Sequence, residues 1–204
     1  MKPGTGQREG VCPLERNTDA LDFLLTRRSR PAKTLSGPPP GRAELQTILT
    51  AAARSPDHGM LEPWRFVVLE RPALDRVAKI AEARAADRGL DSAAVEKARS
   101  AFANSPLIVA VISSPEPSEK IPQVEQTLSA GAVCLALLNA ALASGWGANW
   151  LTSWLALDRE FLTSALGLED HEFVAGFVHM GAAKHVPPER PRPNVEAKTT
   201  WMAE

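Results

Sequence analysis

Apolar residues recur three and four positions apart along much of the chain, and this spacing predicts amphipathic helices. The first predicted helix begins at Asn17 or Thr18 and ends at a basic turn over residues 27–31. The second includes residues 45–52 and stops before Pro56, because proline cannot continue a helix. Further helices are predicted over about 73–88, 92–103, 123–143 and 158–166.

Four runs rich in β-branched, aromatic or continuously apolar residues predict strands. They cover residues 64–69, 107–112, 148–153 and 173–180. Long helices around a sheet of at least four strands indicate an α+β fold, with a central mixed β-sheet flanked by helices. The sequence therefore predicts a flexible tail at residues 1–17 and a single domain over residues 18–204.

The helix that begins near Gln123 is apolar on nearly every face from Ala130 to Ala143. Such a helix is packed on all sides, which favours burial between two subunits, with the centre of one subunit as the alternative. The apolar run is shorter than the roughly 20 residues that cross a bilayer, and it contains Asn139. No membrane span is therefore predicted.

Composition narrows the possible partners and the compartment. The formal net charge is −1, from 23 basic and 24 acidic residues, so no overall field attracts nucleic acid or an anionic membrane. Cys12 and Cys134 form neither a disulfide framework nor a metal-ligand spacing. The N-terminal segment has no apolar core of the kind a secretion signal needs. These features indicate a cytoplasmic protein in which any bound anion must be held by local charges.

The basic turn is the first candidate for chemistry. The sequence has no glycine-rich nucleotide-binding loop, so a phosphate would have to be held by side chains and scattered amides. Arg27, Arg28 and Ser29 offer two guanidinium groups and a hydroxyl, which suit a phosphate. The structural alternative is that basic residues simply complement the dipole at the end of a helix.

Two further segments carry residues suited to lining a pocket. Residues 54–64 form a loop that contains His58 and ends in a Pro-Trp pair at the start of a strand, where a rigid sheet positions the loop. The other histidines show no matching spacing, so His58 is interpreted as a hydrogen-bonding or solvent-exposed residue and no metal site is predicted. Residues 145–153 combine glycines with tryptophans that offer flat faces to a planar ligand. The alternative for this segment is a plain helix-to-strand turn.

Taken in order, these segments resemble the nitroreductase family of FMN enzymes, in particular its small single-domain branch. The resemblance is carried by "RRSR", "AAARSPDHGMLEPWRFVVLE" and "ASGWGANWLTS", and it extends from about Thr18 to Gly181. It implies a nitroreductase-like fold, an intertwined homodimer, and two FMN sites built from both subunits. Arg54 and His58 would then reach the flavin of the other subunit.

The resemblance also assigns the remaining site residues. Arg27, Arg28 and Ser29 match the positions that hold the FMN phosphate and ribityl chain. Trp150, Leu151 and Thr152 match the segment beside the flavin ring. The positions that match the approach of NAD(P)H are Leu142, Ala143, Ser144, Gly145, Trp146 and Gly147. Many relatives carry a basic residue where this chain has Pro31, and Arg30 or Lys33 is a candidate replacement.

The activity that the resemblance implies is FMN-dependent oxidation of NADH or NADPH. Hydride passes in a ping-pong cycle through flavin N5 to a small organic acceptor such as a nitroaromatic or a quinone, and no side chain acts as a catalytic acid, base or nucleophile. The alternatives are a flavoprotein of the same fold with another reaction, such as dehalogenation or flavin fragmentation, and a non-enzymatic binding protein.

Overall fold

The structure is a computed structural model, and it describes residues 15–203. Most of the tail predicted for residues 1–17 lies outside this range, as does Cys12. The helices are α1 (Thr18–Thr26), α2 (Arg42–Ala52), α3 (Arg71–Asp87), α4 (Ser92–Ala103), α5 (Gln123–Ala143) and α6 (Arg159–Leu166). The strands are β1 (Leu35–Ser36), β2 (Trp64–Leu69), β3 (Leu107–Ser113), β4 (Gly147–Leu151) and β5 (Phe173–Ala183).

Three helices begin at a side chain that accepts a hydrogen bond from the free backbone amides of the first turn. The Asn17 side chain accepts from the amide of Ala20 at 2.9 Å and starts α1 where the sequence predicts. Asp91 and Asp158 act in the same way at α4 and α6. A cap of this kind contributes about 1 kcal/mol, because it satisfies a donor that the helix leaves unpaired.

The sheet is antiparallel at every pairing within the described residues. Strand β5 lies between β3 and β4, β2 pairs with β3, and β1 pairs with the last residues of β5. The mixed sheet expected from the sequence is therefore wrong for this chain. The crossover through α5 does leave β3 and β4 running in the same direction, but β5 inserts between them and is antiparallel to both.

Helices cover both faces of the sheet, because the central strand is apolar on both sides. All seven residues of β3 are buried. Ile108, Ala110 and Ile112 pack with α3, α4 and α6, whereas Leu107, Val109 and Val111 pack with α2 and α5. Two cores therefore lie back to back, one on each face of the sheet, and the sheet is the rigid frame that holds the loops at its edges.

Three strand boundaries differ from the prediction. Strand β1 was not predicted, since two residues are too few to show an alternating pattern. Strand β5 continues to Ala183, three residues beyond the predicted end at residue 180, because its last residues pair with β1. Strand β4 begins at Gly147 and ends at Leu151, so Thr152 follows the strand.

Helix α5 is buried on one side only within this chain. Cys134, Leu137 and Ala141 are fully buried against α2 and the sheet, whereas Leu128 is 67% exposed and Leu135 is 46% exposed. The prediction that this helix is packed on all sides is thus not met by one chain alone. We call the exposed apolar residues of this helix (Val124, Leu128 and Leu135) the open face of α5.

Helix α5 is also the one helix in residues 15–203 that is long and apolar enough to cross a membrane by length and composition. The core helix of a globular protein meets the same criterion. Here the buried side of the helix packs against α2 and three strands, β3, β4 and β5.

Candidate functional site

The turn after α1 is fixed to the edge of the sheet by backbone hydrogen bonds. The amide of Arg27 donates to the carbonyl of Phe23 at 2.8 Å and closes the helix. The amide of Arg30 donates to the carbonyl of Ala148 at 2.9 Å, which ties the turn to β4. Two segments that are remote in sequence, the Arg-Arg-Ser turn and the start of β4, thereby become neighbours.

The guanidinium groups of the turn retain unused donors. The Arg27 side chain donates to the Ser29 hydroxyl at 2.9 Å, which orders both groups. The Nε atoms of Arg27 and Arg28 and the Nη1 atom of Arg30 are nevertheless buried without a hydrogen-bond partner among residues 15–203. Buried donors without partners are costly, so their concentration in one turn indicates a site for an acceptor.

These arginines line a cavity of about 240 Å³. Leu142, at the end of α5, forms part of its wall, and Glu189 of the C-terminal segment forms another part. Burial lowers the pKa of Arg27, and the positive charges of Arg192 and Arg28 lower it further. Positive charges therefore accumulate at this cavity, and they favour the binding of an anion.

The C-terminal segment contributes Arg192 to this positive cluster. Its guanidinium pairs with the Glu189 carboxylate at 2.7 Å. Its positive charge also lowers the pKa of Arg27. The sequence leaves open whether Arg190 or Arg192 belongs to the site, because the proline-rich tail has no pattern to align. The fold brings Arg192 toward the turn.

Strand β4 presents different residues on its two faces. Ala148 and Trp150 pack on the side of α5, whereas Asn149 and Leu151 line a cavity on the side of α4. The Trp150 indole N–H donates to the carbonyl of Ala175 at 3.3 Å, and a Cβ atom at Gly176 would collide with the indole ring. The Trp150 indole thus packs against the backbone of Gly176 and is held in one orientation. Thr152 is exposed just beyond the strand.

The connection from α5 to β4 is a glycine turn. Helix α5 ends at Ala143, Ser144 is its cap, and Gly145 has a φ of +84°, a conformation that favours glycine. Trp146 follows, packs against the core beneath α5, and keeps a buried indole N–H without a partner among the described residues. Gly147 is pressed against Leu35 and Ala183, so a larger residue would displace β1.

Arg54 and His58 lie on another surface of the chain. Arg54 lines a groove between α2 and α5, beside Leu135 and Asn139. The Nδ1 atom of His58 is 2.8 Å from a carboxylate oxygen of Glu125, near the start of α5. Neither residue shares a cavity or a hydrogen bond with the Arg-Arg-Ser turn in residues 15–203. One chain therefore does not bring all the predicted site residues together.

A second cavity next to the turn contains residues that the sequence interpretation did not place in the site. It has a volume of about 450 Å³ and includes Lys97, Asn149 and His179. A polar residue among the apolar residues of the last predicted strand was the available signal for His179. No comparable signal marks Lys97, which is one of several charged residues on an exposed helix. No group of three or more His, Cys, Asp or Glu residues suited to a metal ion occurs in residues 15–203.

Comparison with known proteins agrees with this fold. The model of the "Nitroreductase family" matches residues 24–182. The chain is 37% identical over 163 residues to YdjA of Escherichia coli (strain K12), which has the provisional name of an NAD(P)H nitroreductase, and the match covers 80% of this chain and 87% of that protein.

Solved structures show the same fold at low sequence identity. A nitroreductase-like family protein from Bacillus cereus superimposes with a TM-score of 0.75 at 19% identity, over 94% of this chain and 100% of that one. A mutant of NfnB from a Sphigopyxis strain, described as an FMN- and NADPH-dependent nitroreductase, gives a TM-score of 0.71 at 19% identity, over 91% of this chain and 99% of that one.

The class defined by the fold is thus α+β with a nitroreductase-like arrangement of helices around the sheet, which confirms the predicted fold class. The chain belongs to the nitroreductase family.

Proposed function

We propose that this protein binds FMN and catalyses the oxidation of NADH or NADPH by a small organic acceptor such as a nitroaromatic or a quinone. The observation that carries the proposal is the set of buried, unpartnered guanidinium donors in the turn after α1. Family membership and the provisional NAD(P)H nitroreductase name of its E. coli relative support the same activity.

The residues of the turn fit the phosphate of FMN. Arg27, Arg28 and Ser29 provide charge, hydrogen-bond donors and a shared cavity. Two guanidinium groups held close together repel one another, so a doubly charged phosphate relieves an existing cost as well as filling unused donors. Arg192 adds a third positive charge from the C-terminal segment.

Strand β4 and the glycine turn fit the remaining parts of the site. Trp150 is a rigid apolar surface beside the turn, and Leu151 and Thr152 continue from it toward solvent. Leu142 lines the arginine cavity, and residues 143–147 lead from it to β4, which supports the proposed approach of the nicotinamide there. When bound, FMN supplies the redox chemistry, because it accepts a hydride and releases electrons to a second substrate. The protein's residues hold the cofactor, shield it and stabilise its charge.

We further propose that the active form is an intertwined homodimer. The open face of α5 leaves three large apolar residues exposed, and the Asn139 Oδ1 atom on the same side is buried without a partner among the described residues. A second copy packed here would bury apolar surface and approach the groove that contains Arg54. Arg54 and His58 would then complete the site of the other subunit.

The visible absorbance spectrum of the purified protein, recorded before and after each substrate is added, tests the proposal directly. Purified protein is expected to be yellow, with flavin absorbance that bleaches when NADH or NADPH is added without oxygen and returns when a quinone or nitroaromatic is added. Protein that is colourless, and that does not change the fluorescence of added FMN, would overturn the proposal. Bleaching by one nicotinamide at far lower concentration than by the other identifies the electron donor.

A further inference from the structure

The C-terminal segment, residues 184–203, forms one wall of the arginine cavity. Val186, Pro187 and Glu189 belong to this wall, and the arginine turn supplies three positive charges to the same cavity. Among the described residues that line the cavity, Glu189 alone carries a negative charge. The function proposed above gives this carboxylate no role, although it lies where an anion is expected to bind.

The Glu189 carboxylate is held in place by two donors of its own segment. Its Oε1 atom accepts from the amide of Arg190 at 3.0 Å and from the Arg192 guanidinium at 2.7 Å. The hydrogen bond from the Arg190 amide lowers the pKa of Glu189, and the positive charges of Arg192 and Arg28 lower it further. Glu189 is therefore an anion near pH 7, and it interacts with the arginine turn as well as with Arg192.

This carboxylate neutralises part of the positive charge without satisfying the buried donors of the turn. The Nε atoms of Arg27 and Arg28 and the Nη1 atom of Arg30 have no partner among residues 15–203, even though Glu189 lines the same cavity. A phosphate has more acceptor oxygens and more charge than a carboxylate, so it suits these donors better. A phosphate in the cavity would also repel Glu189, because two anions would then lie close together.

The C-terminal segment can move without breaking any hydrogen bond to the rest of the described chain. Within residues 15–203, the hydrogen bonds and ion pairs made by residues 184–203 join residues of this segment to one another. The last pairing with the sheet is that of Ala183 with Leu35. Glu189 is thus carried by a strap whose position depends on side-chain contacts and on charge.

We propose that Glu189 is a built-in competitor for the phosphate of the cofactor. In the cofactor-free protein its carboxylate occupies Arg192 and offsets the charge of the arginine turn. The phosphate displaces it, and Arg192 exchanges the carboxylate for the phosphate. The proposal rests on FMN binding as proposed above. It implies that Glu189 weakens the binding of flavins that carry a phosphate and leaves the binding of riboflavin, which has none, unaffected.

Titration of apoprotein with FMN and with riboflavin, followed by quenching of flavin fluorescence, tests the competition. The variant Glu189→Gln keeps the shape of the side chain and removes its charge, and the fold does not depend on this side chain, which is 63% exposed. We expect the variant to bind FMN about three- to fivefold more tightly, the size of an exposed charge interaction, with the affinity for riboflavin unchanged.

Two comparisons separate this effect from others. Glu196→Gln makes the same charge change in the same segment, but Glu196 does not line the cavity. Equal tightening in the two variants, or equal tightening for FMN and riboflavin, would overturn the proposal. Weaker or unchanged FMN binding in Glu189→Gln would also overturn it, because the carboxylate would then support the site. If the original protein and both variants bound neither flavin, the proposed function itself would be wrong.

Inorganic phosphate tests the exchange without the flavin ring. A ligand that binds the folded state raises the melting temperature, so phosphate is expected to stabilise the apoprotein relative to chloride at the same ionic strength. The phosphate concentration that gives half of this effect is expected to be about three- to fivefold lower in Glu189→Gln than in the original protein or in Glu196→Gln. The same concentration in all three proteins, or no stabilisation by phosphate in any of them, would overturn the proposal.

Discussion

At the scale of single residues, the arginine turn is the part of the site that depends most on electrostatics. We expect Arg27→Ala/Arg28→Ala to lose two charge-assisted contacts of roughly 1.5–3 kcal/mol each, and so to bind FMN about 10²- to 10⁴-fold more weakly. The fold should be retained, because these side chains are not part of either core. Titration of apoprotein with FMN measures the change.

The matched control is Arg99→Ala/Lys79→Ala, which removes two positive charges from α3 and α4. Arg99 pairs with Glu96 one turn away, and Lys79 is exposed. Full flavin occupancy in the turn variant, or an equal loss in the control, would refute the role of the turn.

Gly176 lies directly against the Trp150 indole, and its lack of a side chain leaves room for that ring. In Gly176→Ala, the added methyl group would collide with the Trp150 indole, so either the tryptophan or the strand has to shift. We expect the protein to lose about 1–3 kcal/mol of stability and to bind FMN more weakly. Gly37→Ala is the control, since Gly37 is exposed and a Cβ atom there meets nothing within 4 Å. Thermal unfolding and flavin titration of both variants check the prediction, which fails if Gly176→Ala behaves like the control.

At the scale of elements, the open face of α5 is the surface on which the homodimer proposal depends. Leu128→Lys places a charge where a second copy would bury a leucine, so it is expected to shift the protein toward monomers. Leu157→Lys is the control, because Leu157 is 79% exposed and lies outside α5. Sedimentation velocity at several concentrations distinguishes the two. A dimer that tolerates Leu128→Lys would place the interface elsewhere.

Most elements could be predicted from the sequence because their signals are local. The caps Asn17 and Asp91 and the unbroken apolar run of β3 depend only on neighbouring residues. Strand pairing is not local, and so the insertion of β5 between β3 and β4 was missed. The two-residue strand β1 exists only because the end of β5 lies beside it.

The candidate site was also predictable where its signals are local, and it was missed where residues meet only in the fold. Contiguous motifs such as the arginine turn are visible in the sequence, and the fold places that turn beside β4 as a site requires. The roles of the predicted site residues stay predictions. Lys97 and His179 come from different elements and meet only across a cavity, so no spacing along the chain marks them.

At the scale of the whole molecule, stability is expected to fall in acid over two successive pH windows that overlap slightly. The bidentate hydrogen bonds from Arg65, at 2.6 and 2.7 Å, lower the pKa of the Glu172 carboxyl from 4.5 to about 2. Burial lowers the pKa of His179 from 6.5 to about 4. In both cases the unfolded chain takes up a proton at a pH where the folded protein does not, so protonation favours unfolding.

The histidine contribution is fully present above about pH 6.5 and is lost as the pH falls toward 4. The glutamate contribution is present above about pH 4.5 and is lost toward pH 2. Each amounts to roughly 1–3 kcal/mol. Urea unfolding as a function of pH is expected to show a shallower slope between pH 6.5 and 4 in His179→Phe, and a shallower slope between pH 4.5 and 2 in Glu172→Gln. Slopes that match the original protein in these windows would contradict the assignments.

The separation of Arg54 and His58 from the arginine turn has a practical consequence for handling the protein. If the ring is enclosed only when two chains meet, cofactor retention follows mass action between chains. Repeated dilution or long gel filtration would then wash out the yellow colour before any denaturation occurs, and concentrating the sample with added FMN would restore it. Flavin content measured on dilute stocks would understate the capacity of the assembled protein.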